Sequence, residues 1–450
     1  MLVQRATQGF SLAEYHRARD MGWQAWLDWQ LEPEAIADPA ADDRLRPLRS
    51  LSMTPYQLAI EYQDAAAFQP VVELRSAFVF RSLLSQRQLH ERMVEFWTDH
   101  FNTYHLDGFL YQLKTVEDRE VIRGHALGNF GAMLRADAHG AAMLWYLDNY
   151  NNVVGAAQEN YARELMELHT LGVRGPYTEQ DVKEVARCFT GWTAVFQYAA
   201  SYGNFVFAPG YHDDGGKLVL NNLVPPGGGV TDGEFVLDLL AGMRETAEFV
   251  GGKLCRWLVG YDPPPAVKTE VADAYMATGG DIKAMVRAAF RQRSAAELLR
   301  DFTPKLKRPS QFVFGLLRAS SAKILLPNLP VYDLFVMGQL PYDWIAPNGY
   351  PDAIEAWGSS VLPRWDFASR LFGRQMYGVD VNLELLFAPV GGLQRPRLAE
   401  QIDEILTGGA LSQAEFDEID RYLASRPRLD ESTIREGFAL AASAPSYQMY

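Results

Sequence analysis

Cysteine is scarce in this chain, with 2 in 450 residues, Cys188 and Cys255. Both sit in apolar, helix-like patterns, which excludes a disulfide-stapled small domain and points to buried free thiols. No stretch approaches the roughly 18 consecutive apolar residues of a membrane-spanning helix, so no membrane span is expected. Positive charge is also short. With 42 Lys and Arg against 56 Asp and Glu, the formal net charge is −14. That balance argues against a nucleic-acid or anionic-membrane partner, since both select clustered basic side chains. A GxSxG elbow, a phosphate-binding loop, a dinucleotide glycine fingerprint, a CxxC pair, HExxH and DDxxD are all missing. The familiar local templates for chemistry are therefore excluded.

What the chain does have is helix-forming sequence, 48% hydrophobic and 22% charged, enough to bury a large core. Ser11 with Glu14 three residues on reads as a capping box, and Gly22 breaks the helix it opens. The next helix sets Trp23, Trp26 and Leu27 on one packing face and turns Trp29 away. From Leu84 to Tyr104 the spacing predicts the longest clear helix, with Leu89, Met93, Phe96, Trp97, His100, Phe101 and Tyr104 in one stripe. His100 inside that stripe is either a satisfied core histidine or a ligand or acid/base group. Asp99 and His105 fall off the stripe and read as solvated. Thr178 with Asp181 caps a later helix whose buried face is Val182, Val185, Ala186 and Phe189.

Near residues 204–220 the period changes to alternation around Phe205 and Phe207, and YHDDGGK supplies a tight turn, which predicts one small β-hairpin. NNLVPPGGGVTDG, residues 221–233, reads as a flexible loop or lobe boundary. MGQLPYDWIAPNGYPD, residues 337–352, is an aromatic loop that is either a lid over a pocket or an irregular wrap on the core. The expected fold class is mostly α: one large helical domain with one small hairpin.

The densest run of ionisable residues on a helical segment is QENYARELMELHTL, residues 158–171. At about 100° per residue, Tyr161, Leu165 and Leu168 form an apolar stripe. Asn160, Glu164 and Glu167 form a second stripe beside it, and Glu159 pairs with Arg163. His169 lies on the opposite flank from Glu167, so one continuous helix cannot aim both at a single ion.

ENYARELMELHTLG followed by YTEQDVKEVARCFTGW resembles the signature of the bacterial family called domain of unknown function 1800. The likeness also takes in LVQRATQGFSLAEYHRARDMGWQAWLDWQL, LHERMVEFWTDHFNTY, YHDDGGK, YDPPPAVKTEVADAYMATGGDIKAMVRAAF, MGQLPYDWIAPNGYPDAIEAW and the final APSYQMY. It implies one family unit over residues 1–450 and marks His212, Asp213 and Lys217 as signature positions. It also implies a sulfatase-like protein as partner, because such proteins often neighbour this family's genes. The chain starts close to the family's first block without a signal-peptide pattern. It reads as cytoplasmic as written, or as exported with its leader trimmed or carried by a partner.

Two constellations could carry chemistry. Glu164 and Glu167, with Asn160, could join His100, His212 or Asp213 around a divalent metal or in acid/base work, since carboxylates three apart on a helix reach one cation. The structural alternative is a buried polar network with Glu159 paired to Arg163 and Glu164 bound to a neighbouring arginine. His212 to Lys217 could be a calcium-type oxygen loop or a plain turn. Two functional readings follow. One is a binding or scaffold protein acting beside a sulfatase-like partner. The other is a metal- or carboxylate-dependent enzyme, a hydrolase or oxidoreductase acting on a small molecule or glycan. In it Glu164 or Glu167 is base or ligand, His212 ligand or acid, and His100, Glu164, His212 and Asp213 are the metal set. Whether His100, Glu164 and His212 converge bears most on the choice between them.

Overall fold

Helix signals in the sequence are used much as written. In the computed structural model, which describes residues 2–108, 110–197, 199–291, 297 and 300–450, Ser11 accepts from the Glu14 amide and opens the helix Leu12–Met21. Gly22, at φ +83°, ends it. The Glu14 carboxylate does not complete the box. It turns inward and accepts from Trp26 Nε1 at 2.7 Å, tying this helix to Trp23–Gln30. Thr178 and Asp181 make both halves of a capping box on Glu179–Cys188, whose Val182, Val185 and Ala186 are buried together with the following Phe189.

The long helix expected over residues 84–104 is shorter. Gln69–Leu84 and Gln88–His100 are separate helices, because Asp38 draws the Ser85 hydroxyl and the Gln86 amide (2.9 Å) into a turn between them. The apolar stripe survives, with Leu89, Met93, Phe96, Trp97, His100 and Phe101 buried. Asp99 and His105 are not solvated as their position off the stripe suggests. Both meet the residue 337–352 loop, which no helical wheel can foresee.

The described residues are mainly helical, with three two-stranded antiparallel sheets. Phe205–Phe207 pairs with Trp192–Ala194, and Lys217–Val219 pairs with Asn222–Val224. The 204–220 region therefore holds strands of two hairpins rather than the two arms of one. The short helical turn Pro209–Tyr211 separates them. The third pair is Lys323–Ile324 with Val379–Asp380.

Apolar side chains gather in two main cores. One runs from Val3 to Phe302 and includes Val219 and Val236, on either side of the 221–233 loop. The other takes Phe10, Leu12 and Val79 and then most of the buried apolar residues from Phe312 to Tyr447. In sequence, the division falls between Phe302 and Phe312. The strap across it lies antiparallel to the last residues: the Lys305 and Lys307 amides donate to Tyr450 O (3.0 Å) and Gln448 O (2.8 Å).

The aromatic loop is a wrap. Asn102 Nδ2 donates to the carbonyls of Trp344 and Ala346 at 2.9 and 2.8 Å, and His105 Nδ1 donates to that of Tyr342 at 2.8 Å. Beneath it lies a void of only about 30 Å³, lined in part by Glu95, Asp99, Ser310 and Gln339, room for about one or two waters. No helix among the described residues is long and apolar enough to cross a membrane.

Gly349, at φ +68°, seats the wrap, and a Cβ there would lie 2.0 Å from the Asp99 carbonyl oxygen. Gly349→Ala should cost more than about 3 kcal/mol, adding a backbone clash to the roughly 1–2 kcal/mol of left-handed strain. Gly155→Ala, at φ +78° with no atom within 4 Å of its Cβ, should show the strain alone. Urea unfolding of the two variants tests the difference.

Candidate functional site

The central segment bends the rule that shaped its expected faces. Asn160–Glu164 is α-helical, but Leu165–Thr170 is a π-helix, with the Leu171 amide donating to Met166 O at 2.9 Å. An i→i+5 turn takes one more residue per turn. The inward face therefore passes from Leu168, which is half-exposed, to His169, which is fully buried. Glu164 and Glu167 stay on the half-exposed side. Arg163 lies 3.3 Å from Glu159 and 3.5 Å from Glu167, and it holds Glu179 at 2.7 Å. Partial burial, and Glu167 beside it, push the Glu164 carboxyl above the usual range.

His100 does meet this segment, through His169 rather than a glutamate. Its Nε2 donates to the His169 carbonyl at 3.1 Å, so Nδ1 must be the acceptor, and Lys253 Nζ donates to it at 2.9 Å. Burial and the neighbouring Lys253 hold His100 neutral, well below its ordinary value. Burial likewise lowers Lys253 to about 8 and His169 to about 3. Both ring nitrogens of His169 lack a hydrogen-bond partner among the described residues, and its ring packs 5.0 Å from Phe101.

His212 belongs to a different cluster. Nδ1 donates to Thr190 O at 2.8 Å, Nε2 lies 3.2 Å from Asp232, and Lys217 Nζ contacts Asp232 and the Asp213 carbonyl. Asp213 faces Arg187, at 2.7 and 3.2 Å, which holds its carboxyl below the usual range. The Thr190 hydroxyl sits 3.2 Å from His212 Nδ1, giving the outline of a Thr-His-Asp triad. That hydroxyl is buried, donates to Arg187 O and accepts from the Asp213 amide. The group is a clasp that closes the turn onto the helix Glu179–Cys188.

Among the described residues, no three His, Cys, Asp or Glu side chains gather as metal ligands. His100, Glu164, His212 and Asp213 therefore do not come together as the divalent-metal set expected of them. The physical reason is the π-turn, which sends His169 rather than a carboxylate toward His100, while His212 is taken up by Thr190 and Asp232.

A cleft that the sequence did not mark lies between Gly203–Phe205, the start of the helix Pro55–Glu61 and the Gly140 turn. Its volume is about 330 Å³, and Glu117, Glu120 and His139 are its titratable lining. Glu117 ends the helix Leu110–Glu117, where a second π-helix, Asp118–Arg123, begins. Its Oε2 accepts from Lys114 at 3.0 Å and from Thr103 at 2.7 Å, whereas buried Oε1 has no hydrogen-bond partner among the described residues. Burial raises its carboxyl above the usual range despite Lys114. Asp137, raised further by burial and by Glu117, is also buried, and neither oxygen has a hydrogen-bond partner among the described residues. The available signal was a carboxylate set among Leu113, Val116 and Val121 in an apolar period, which helical periodicity alone treats as a defect.

A family model described as protein of unknown function (DUF1800) matches residues 1–449, and the chain belongs to that family. No curated protein and no solved structure matches it.

His169 predicts a pH dependence. A base whose folded pKa is depressed binds its proton later in the folded than in the unfolded chain. Its contribution is thus complete above about pH 6.5 and is lost as pH falls toward about 3, at a limiting slope of about 1.4 kcal/mol per unit. Urea unfolding between pH 7 and 4.5 should show a shallower decline for His169→Leu than for the unmodified chain. The clasp predicts a second contrast at pH 7. His212→Ala leaves Asp232 and Lys217 short of a buried partner and should cost about 1–3 kcal/mol, whereas Glu164→Ala should stay within about 0.5.

Proposed function

We propose that this member of the DUF1800 family is a binding protein that docks a protein partner on the outer face of its aromatic wrap. The observation that carries this reading is an apolar patch. On the helix Asn328–Val336, Tyr332 is 60% and Phe335 58% exposed, and across a hollow of about 380 Å³ Ile345 is 70% exposed. Leu340, Trp344, Ala346 and Tyr350 also line the hollow, with Asp343 its charged lining residue. Soluble proteins scatter exposed large apolar side chains singly, and a contiguous group marks a contact surface. The wrap is also rigid where it matters. Tyr146 Oη donates to Ile345 O, and Asn102 holds the carbonyls on either side, so docking has little loop entropy to overcome.

The partner we propose is a sulfatase-like protein. A second reading, a carboxylate-dependent enzyme acting on a small molecule or glycan, draws support from the raised carboxyl of Glu117 in its cleft, more than from Glu164, Glu167 or His212.

Calorimetric titration of the purified chain with a sulfatase-like protein tests the docking reading. Phe335→Asp and Ile345→Asp should each weaken binding at least about tenfold, roughly 1.4 kcal/mol, with unchanged melting temperature. Binding equal to that of the unmodified chain in both variants would remove this face from consideration.

A further inference from the structure

We infer that the cavity beside Arg318 is a binding site for a short aliphatic carboxylate, held by the Arg318 guanidinium. The cavity has a volume of about 280 Å³ and lies where the helix Leu12–Met21 begins and the helices Gln69–Leu84 and Pro309–Ala319 end. It shares no lining residue with the docking hollow and does not depend on it. Among the described residues, Arg318 is the one charged group in its lining, and Leu83, Leu317, Leu386 and Ile405 are among its apolar walls. The protein matches this guanidinium incompletely. Nη1 donates to the Ser82 and Leu83 carbonyls at 3.5 and 3.4 Å, both long, and Nε is buried without a hydrogen-bond partner among the described residues. Nη2 has no partner among them either, but unlike Nε it is not closed off from solvent. It is the nitrogen left for a ligand.

The charge of that group is unanswered as well. Burial lowers its pKa to about 10, which leaves it protonated at neutral pH. Glu14 and Arg17 act on it through space with opposite signs, and they are paired with one another at 3.0 Å while Glu14 also accepts from Trp26. A partly buried cation without a counter-charge is costly, and a carboxylate that reaches Nη2 forms a charge-assisted hydrogen bond there. The start of the helix Leu12–Met21 supports the same ligand. Ser11 takes the Glu14 amide, but the Leu12 and Ala13 amides have no acceptor among the described residues, and first-turn amides favour an anion. A cation would meet a guanidinium and no carboxylate in the lining. A phosphate dianion would bring two charges to one arginine and gain nothing from the apolar walls, whereas an alkyl stem fills them. The net charge of −14 opposes an anion at long range, but salt screens that field beyond about 8 Å.

Ligand-observed NMR with hexanoate as probe, and n-hexanol and n-hexylamine as controls of the same length, tests this on the full chain. Hexanoate should bind saturably, with hexanol and hexylamine at least about tenfold weaker. Arg318→Gln should lose at least about tenfold in hexanoate affinity. Leu84→Glu, at a lining position that is 37% exposed, adds a carboxylate to the cavity lining. It should lose a similar amount, and it decides the matter should Arg318→Gln prove unstable. Absence of saturable hexanoate binding, hexanol or hexylamine binding as tightly as hexanoate, or unchanged hexanoate affinity in Arg318→Gln or Leu84→Glu would each overturn the assignment.

Discussion

The guanidinium of Arg308, buried between the two cores, holds Asp99 at 2.7 Å, and much of the molecule is tied to that pair. Asp99 also accepts the Tyr350 amide at 3.2 Å, which anchors the aromatic wrap. One helical turn earlier, Glu95 accepts from Ser310 at 2.7 Å and Gln339 at 3.3 Å and pairs with Arg92 at 3.2 Å. Arg92 stacks 3.6 Å from the Trp257 ring and donates to Tyr450 Oη, and Arg5 donates to Tyr450 O at 2.8 Å. Burial pushes Glu95 up, but Arg308 and Arg92 outweigh it and hold its carboxyl below the usual range. A buried charge is tolerated only with a partner, so removing one member exposes the others to the full desolvation cost. That requirement joins the first residues, the Gln88–His100 helix, the 305–311 strap, the wrap and the last residues into one unit.

These are largely the stretches that carry the family likeness: LVQRATQGF supplies Arg5, LHERMVEFWTDHFNTY supplies Arg92, Glu95 and Asp99, MGQLPYDWIAPNGYPD supplies Gln339 and Tyr350, and APSYQMY supplies Tyr450. Their meeting point encloses about 30 Å³, too small for a substrate. The polar residues of these blocks therefore read as the means by which two apolar bodies are held in register. What the assembled body presents outward includes an apolar face on the wrap and a cleft lined in part by Glu117.

The two π-helices connect these themes. One begins immediately after Glu117 and the other turns His169 inward onto His100. Each inserts one extra residue into a helical turn, and the second thereby places His169 where an α-helix would have put Leu168. His169 and His100 are buried and held neutral, and Lys253 beside them, lowered to about 8 and partly exposed, carries the group's charge at neutral pH.

The sequence by itself determined the helical class, the caps at Ser11 and Thr178, the break at Gly22, the buried free cysteines and the apolar stripe from Leu89 to Phe101. These depend on residues within a turn or two of each other, and periodicity and capping report them directly. Only the tertiary structure decided that Asp99 and His105 are covered by a loop more than 230 residues away, that Phe205–Phe207 pairs back to Trp192–Ala194, and that His212 closes on Asp232. It also decided that His169 replaces Leu168 on the buried face. Each of these depends on a partner distant in sequence or on a one-residue shift in helical winding, and neither leaves a mark in local spacing.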